Sequence, residues 1–254
     1  CANFKNLGDS LEIASTNKID NICMQLGLSA SDHLLEIGTG WGGLAIHAAE
    51  QYGCRVTTTT ISEEQFDYVE SLISQRGLQN QVTLLKKDYR DLQGKYDKLV
   101  SVEMIEAVGI KFIPEFFKRC SSLLNSNGLM LVQAITMEEQ RFQKAQNSVD
   151  FIQRYIFPGG ALPTLTGLAV AATRHTDLRP LDVRDITLHY SETLKRWKKN
   201  FNENIQEIKD MGFDENFQRM WNYYLAYCEG AFFERAIGCV QMQFHKPFFR
   251  GEIN

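Results

Sequence analysis

The chain has 254 residues, 44% of them hydrophobic and 23% charged, with a formal net charge of −4. That length suits one large domain with a sizeable core, and the composition is ordinary for a globular protein. The acidic balance argues against nucleic acid as a partner, no apolar run reaches membrane-spanning length, and no signal peptide is visible.

The first half alternates strand and helix. His33–Ile37 is a short apolar run that reads as a buried strand. Gly38, Gly40 and Gly42 follow, and then Leu44–Tyr52 has helical spacing. Arg55–Thr60 is β-branched and strand-like. Ser62 is a good N-cap, with Glu63, Glu64 and Gln65 suited to a first helical turn. Val82–Lys86, Tyr96–Val102 and Leu129–Ile135 read as three more strands, with a helix over Lys111–Leu124 between the last two and a turn signal at Asn127-Gly128. Strands alternating with helices imply a parallel, doubly wound sheet. Ligands of such sheets sit at the carboxyl ends of the strands, where the strand order reverses.

The glycines fall at such a place. They let the backbone turn tightly and approach a ligand, and the helix that begins near Gly42 directs free N–H groups to the same spot. The spacing is GxGxG, not the GxGxxG dinucleotide fingerprint, and a tight turn without a ligand is the plain alternative. Glu36, just before the first glycine, can bind a ligand amine or a bridging water. A nicotinamide enzyme would place an acid at the next strand end. This chain has Thr57-Thr58-Thr59-Thr60 and then Gln65, neutral groups that can hydrogen-bond a ribose. Asp88, after the third strand, is placed either to reach an adenine amino group or to hold a surface turn.

Four stretches, "EIGTGWGG", "TTTTISEEQ", "KDYRDL" and "YDKLVSVEMIEAVG", together resemble the S-adenosylmethionine-dependent methyltransferases of the cyclopropane-fatty-acyl-phospholipid synthase family. The resemblance continues in family order through "YIFPGGALP", "LHYSETLKRWKKNF" and "YYLAYCEGAF", and covers nearly the whole chain. It implies a class I methyltransferase (Rossmann-like) α/β fold: a seven-stranded, mostly parallel sheet with a helical lid insertion over 137–181. Residues 1–254 are then a single catalytic domain. Because the chain starts with Cys1, in "CANF", it is expected to be the C-terminal part of a longer one. The last two strands are expected near Val183–His189 and Val240–His245, the final one antiparallel, joined by helices near Ser191–Met211 and Asp214–Arg235.

The resemblance also assigns roles. Gly38, Gly40 and Trp41 would line the methionine and ribose end of S-adenosylmethionine, with Glu36 beside them. Thr60 and Gln65 would contact the ribose and adenosine, and Asp88 and Tyr89 would hold the adenine. Family members transfer a methyl group to a cis double bond of a phospholipid acyl chain, and the resulting carbocation closes a cyclopropane after losing a proton to bound bicarbonate. Glu106 would orient that ion and Tyr190 would hydrogen-bond it, with Cys228 near the pocket. Thr39 stands where many members have Cys, and Gln133 where they have His; plant-type members resemble this chain at Gln133 and Ala107. Glutamine can donate to an anion but cannot become cationic.

A cationic intermediate favours aromatic faces, and the second half supplies Tyr155, Phe157, Tyr190, Trp197, Tyr223, Tyr224 and Phe232, each of which could equally be core. Lys195, Arg196, Lys198 and Lys199 around Trp197 read either as a membrane-surface patch or as a solvated helix face. The six cysteines have no metal-ligand spacing and read as reduced thiols of a cytoplasmic protein, and no metal is expected. The expected partner is an unsaturated phospholipid at the membrane surface, met peripherally during turnover, with a homodimer as the compatible assembly. The alternatives are methyl branching of an acyl chain, N-methylation of a small amine, and a non-catalytic lipid-binding protein with a remnant cofactor site.

Overall fold

The computed structural model describes residues 1–6 and 8–251. Seven strands form one sheet: β1 (His33–Ile37), β2 (Arg55–Thr60), β3 (Val82–Lys86), β4 (Tyr96–Val102), β5 (Leu124–Met137), β6 (Arg179–Asp185) and β7 (Ile237–His245). Their order is β3-β2-β1-β4-β5-β7-β6. β1 to β5 pair in parallel, and β7 runs antiparallel between β5 and β6. The order reverses at β1, which β2 and β4 flank. The carboxyl ends of β1 and β4 therefore open the crevice where doubly wound sheets bind ligands.

The helices are α1 (Leu11–Leu26), α2 (Gly43–Tyr52), α3 (Glu63–Gln75), α4 (Ile113–Leu123), α5 (Glu139–Gln146), α6 (Phe151–Tyr155), α7 (Leu165–His175), α8 (Thr187–Glu203), α9 (Ile205–Asp210) and α10 (Glu215–Phe233). Successive strand residues point to opposite faces, and the core divides accordingly. Leu35, Leu99, Met130 and Val132 pack with Phe116 and Phe117 of α4 and Leu168 of α7. Leu34, Val100, Leu129 and Leu131 pack on the other face with Ile22 of α1, Ala45 of α2 and Val69 of α3. A third cluster joins Tyr190 and Leu194 of α8, Leu225 and Phe232 of α10, and Cys239 of β7.

Three expectations need correction. The strand expected over Val183–His189 lies at Arg179–Asp185, and Thr187 already begins α8. "VRDITLHY" alternates like a strand, but the Asp185 carboxylate accepts the Thr187 N–H at 2.8 Å and turns the chain there. Pro180 is tolerated because β6 is an edge strand. The helix expected over Ser191–Met211 is two helices, with Asn204 between them. The insertion after β5 also divides. α5, α6 and the segment up to Leu162 wall a cavity, whereas α7 buries Leu168, Ala171 and Ala172 in the main core. The sequence reading also passed over α1, whose signals are the Ser10 cap on the Ile13 N–H and a left-handed Gly27.

Each cation of the 195–199 stretch lies by a carboxylate: Lys195 and Arg196 by Glu192, Lys198 by Glu229 and Lys199 by Glu203. That is the pattern of a solvated helix face. Among the described residues, no helix is long and apolar enough to cross a membrane. All six cysteines are free.

The turn into α2 gives a stability test. Gly42 has φ +85°, and a Cβ there would meet the Val69 methyl carbons at 3.1 and 3.2 Å. Gly42→Ala should therefore lower unfolding free energy by roughly 1–3 kcal/mol, read as a lower midpoint in urea with an unchanged slope. An unchanged midpoint would mean that this turn carries no strain.

Candidate active site

The glycine turn is fixed by β2. The Gly38 and Thr39 N–H groups both donate to the Thr59 carbonyl, at 3.1 and 2.9 Å, and Gly42 N–H closes onto the Thr39 carbonyl at 2.9 Å. Gly38 and Gly40 hold φ of +96° and +52°, which L side chains rarely adopt. A Cβ on Gly40 would meet nothing within 4 Å, so that backbone faces open space. Thr39 is buried, and its hydroxyl has no partner. An unpaired buried hydroxyl is costly, and this one is free to bond a ligand atom.

The four threonines divide their tasks, and the Thr57 hydroxyl hydrogen-bonds the His33 ring at 2.8 Å. Thr58 donates to the Glu36 carboxylate at 2.6 Å, Thr59 donates to the Lys87 carbonyl at 2.5 Å, and Thr60 donates to the Gln65 side-chain oxygen at 2.8 Å. Burial pushes the Glu36 carboxyl up to about 8, against the pull of the Thr58 hydroxyl. Trp41 is 60% exposed and meets Tyr68 edge-on, with ring centroids 5.4 Å apart. Asp88 caps a short turn and takes a two-pronged bond from Arg90 at 2.9 and 2.8 Å. The Arg90 side chain is 68% exposed, so exchanging this pair for another donor costs little. Tyr89 packs edge-on against Phe116.

The loop after β4 adjoins this turn. A Cβ on Gly38 would touch Met104 at 3.5 Å, and Met104 lies between two acids, Glu103 and Glu106. Both line a cavity of about 500 Å³. Its walls include Ile135, Phe142, Ile152, Phe157, Leu194, Tyr224 and Phe232, and Cys228 is part of them. Of the aromatics named from sequence, Phe157, Tyr190, Tyr224 and Phe232 line it; Tyr155, Trp197 and Tyr223 do not. Tyr190 lies flat on Phe232, with centroids 4.2 Å apart and planes 8° apart.

Glu106 accepts the Ile135 N–H on one oxygen at 2.5 Å, while its other oxygen is buried without a partner. Burial pushes this carboxyl up to about 7, and the nearby Glu103 charge adds to the rise. Burial also pushes the Cys228 thiol up to about 12, so it stands as a neutral wall group.

Glu103 is the residue that sequence reasoning missed. Its carboxylate accepts from the Tyr190 hydroxyl at 2.6 Å and from the Gln133 amide at 2.6 Å. Gln133 accepts in turn from Gln241 at 2.9 Å, and Gln241 from Gln25 at 2.6 Å. Burial alone would raise the Glu103 carboxyl; the Tyr190 hydroxyl, Lys18 and the Gln133 amide oppose that rise. The cysteine that reaches this cluster is Cys1, whose sulfur lies 3.3 Å from the Gln133 amide; Thr39 belongs to the glycine turn. Cys1, Glu103 and Cys239 also bring ligand-type atoms within 4.8 Å of one another, a grouping their sequence spacing conceals. The one sequence signal for Glu103 was its acidic type beside Glu106.

Comparison with known proteins matches residues 1–242 to the family described as mycolic acid cyclopropane synthetase. The tuberculostearic acid methyltransferase UfaA1 of Mycobacterium tuberculosis is 40% identical over 222 residues, 87% of this chain and 52% of that protein. The cyclopropane-fatty-acyl-phospholipid synthase of Escherichia coli K12 is 36% identical over 252 residues, 99% of this chain and 63% of that protein. The chain thus spans between half and two thirds of these relatives. The crystal structure of mycolic acid cyclopropane synthase CmaA1 with SAH and CTAB superposes with a TM-score of 0.90 at 26% identity, covering 97% of this chain and 89% of that one. The fold is that of the class I S-adenosylmethionine-dependent methyltransferases.

The raised Glu106 carboxyl predicts a pH effect on the unliganded protein. Its proton is held more tightly in the folded state (about 7) than at the ordinary value of 4.5, so its contribution to stability is full at low pH and lost as pH rises through 7. Glu106→Gln keeps an acceptor for Ile135 and removes the charge. It should be more stable than the parent at about pH 8 by up to roughly 3 kcal/mol, with the gain shrinking below pH 7 and vanishing below about pH 4. Urea unfolding across that range tests this; a pH-independent difference would contradict it.

Proposed function

The chain belongs to the mycolic acid cyclopropane synthetase family, and from that membership we propose that it methylates the double bond of an unsaturated phospholipid acyl chain and closes a cyclopropane there. The observation that carries this reading is the junction at Met104. A glycine turn with an orphaned Thr39 hydroxyl packs against Met104, and the acids on either side of Met104 in sequence, Glu103 and Glu106, line an apolar, aromatic-walled cavity. S-adenosylmethionine fits the turn: the Gly38–Gly40 backbone can approach it closely, Thr39 offers a free hydroxyl, and Thr60, Gln65, Asp88 and Tyr89 supply neutral and acidic groups for the ribose and adenine. Bound there, it supplies an electrophilic methyl group.

The cavity does the rest. Its volume lies within the ~300–1,000 Å³ usual for small-ligand sites. Each buried methylene of an acyl chain adds about 0.8 kcal/mol, so lipid is held without a charged anchor. An alkene is a weak nucleophile, and a dry, fixed geometry supplies what it lacks. Tyr190 and Phe232 present ring faces toward developing positive charge, and Glu103 adds a carboxylate. Bicarbonate does not fit. The two donors assigned to it, Tyr190 and Gln133, both serve Glu103, and a further anion would lie against that carboxylate. The chain would meet its lipid at a membrane surface, where the exposed Tyr155, Tyr223 and Tyr227 rings gather around the half-buried Phe151.

A second reading, methyl branching without ring closure, is favoured by the 40% identity to a protein named as a tuberculostearic acid methyltransferase. Both outcomes add one CH₂ to the lipid when no reduction follows. Proton NMR of the product separates them: a cyclopropane shows upfield ring protons and no alkene, whereas a methyl-branched alkene keeps alkene protons. With unsaturated phospholipid vesicles and methyl-labelled S-adenosylmethionine, labelled ring protons are expected; an unlabelled lipid would overturn both readings.

Thr39 gives a separate test. Thr39→Val removes a hydroxyl that has no partner in the unliganded protein, so thermal stability should hold or rise. Cofactor affinity should fall roughly 5–10-fold, the worth of one hydrogen bond, as read by calorimetry. Unchanged affinity would place the cofactor away from this hydroxyl.

A further inference from the structure

We propose that the Glu103 carboxylate is itself the general base of the reaction, seated between Tyr190 and Gln133 in the place that a bound anion would otherwise take. The inference rests on the double-bond methylation reading and adds the group that receives the proton.

Position comes first. Glu103 lines the cavity, and its side chain is 20% exposed. Both oxygens are fixed. The Gln133 amide can present only its NH₂ to Glu103, because its own oxygen is taken by Gln241. Tyr190 is held by its ring stack on Phe232 and donates to the other oxygen. A carboxylate oxygen has two acceptor positions, so the one that Tyr190 occupies keeps a lone pair for a proton.

The backbone agrees. Glu103 has φ +52°, one of two positive values among the described non-glycine residues. Glycine would take this conformation freely. The chain instead places a long acidic side chain there and pins it by the 2.8 Å bond from its N–H to the Gln133 carbonyl. Strain held at a cavity wall is a pointer to function.

The other ionisable groups of the cavity are less well placed to take a proton. Glu106 accepts the Ile135 N–H on one oxygen, and burial raises its carboxyl to about 7, so much of it already carries a proton at neutral pH. Asp150 caps α6 by accepting the Gln153 N–H. The Tyr190 and Tyr224 phenols and the Cys228 thiol are protonated, each raised by burial. Gln133 is neutral, so it orients the Glu103 carboxylate without the pull that a cationic partner would add.

The step balances. Methyl transfer to one alkene carbon leaves a positive charge on its neighbour. One C–H bond of the new methyl then breaks, its electron pair forms the bond to the cationic carbon and closes the ring, and the proton goes to Glu103. If the C–H bond broken belongs to the chain, the pair forms a new double bond and the product is branched. The carboxylic acid loses its proton to water once the cavity reopens.

The test uses the full-length protein, unsaturated phospholipid vesicles and methyl-labelled S-adenosylmethionine, in buffer stripped of carbon dioxide and again with added bicarbonate. The parent should label lipid equally in both. Glu103→Gln should bind the cofactor within about twofold in calorimetry yet turn over at least roughly 100-fold more slowly, the scale of a lost general base. Glu103→Gly should be slow in stripped buffer and recover with bicarbonate or formate, which a purely structural role would not produce. A parent that needs added bicarbonate would overturn the proposal and leave the methylation reading standing. So would a Glu103→Gln variant of near-normal rate. No lipid labelling by a parent that binds the cofactor would overturn both.

Discussion

The buried contact between the Glu103 carboxylate, the Tyr190 hydroxyl and the Gln133 amide is what the site is organised around. A carboxylate set beside a second acid in an apolar cavity is unstable unless donors surround it. The chain supplies two neutral donors to this β4-loop acid from distant parts of the sequence: Gln133 of the long central strand β5, and Tyr190 in the first turn of α8 after the edge strand. A glutamine relay through Gln241 and Gln25 then fixes which way each amide faces. A relay of amides stays neutral at every pH, so it orients the carboxylate without competing for its proton.

The scaffold serves that contact. The reversal of strand order at β1 brings the glycine turn beside the β4 loop, and the packing of Gly38 on Met104 sets the separation between the cofactor turn and the acids. β7, inserted antiparallel between β5 and β6, brings Gln241 opposite Gln133 in the ladder. α8 and α10 pack together to put Tyr190 on Phe232. On the proposed reading, methyl donor and acyl acceptor meet at this one short loop. Removing water from between them serves both methyl transfer and the survival of a cation.

Much of this was legible in the sequence. The first four strands and the glycine turn follow from apolar runs, punctuation and β-branched residues, each a local signal. The edge strand was misplaced because "VRDITLHY" alternates, and only the Asp185 cap on Thr187 shows that its second half is helical. α1 was passed over because its polar middle hides an apolar face formed by Ala14, Ile22, Cys23 and Leu26. In the site, Glu106, Tyr190 and Gln133 could be named from a family pattern. Glu103 could not, because its importance lies in two contacts that span 30 and 87 residues of sequence. Cys1 and Cys239 escaped notice for the same reason. The threonines were read as ligand contacts, but Thr58 and Thr59 are spent on Glu36 and the Lys87 carbonyl.

The most direct measurement is a crystal structure of the protein with S-adenosylhomocysteine, grown in bicarbonate-containing buffer at a resolution that separates a planar ion from a side chain. The account predicts the Glu103 carboxylate between Tyr190 and Gln133, and no separate anion there. A planar ion bonded to Tyr190 and Gln133, with Glu103 turned out of the cavity, would contradict it.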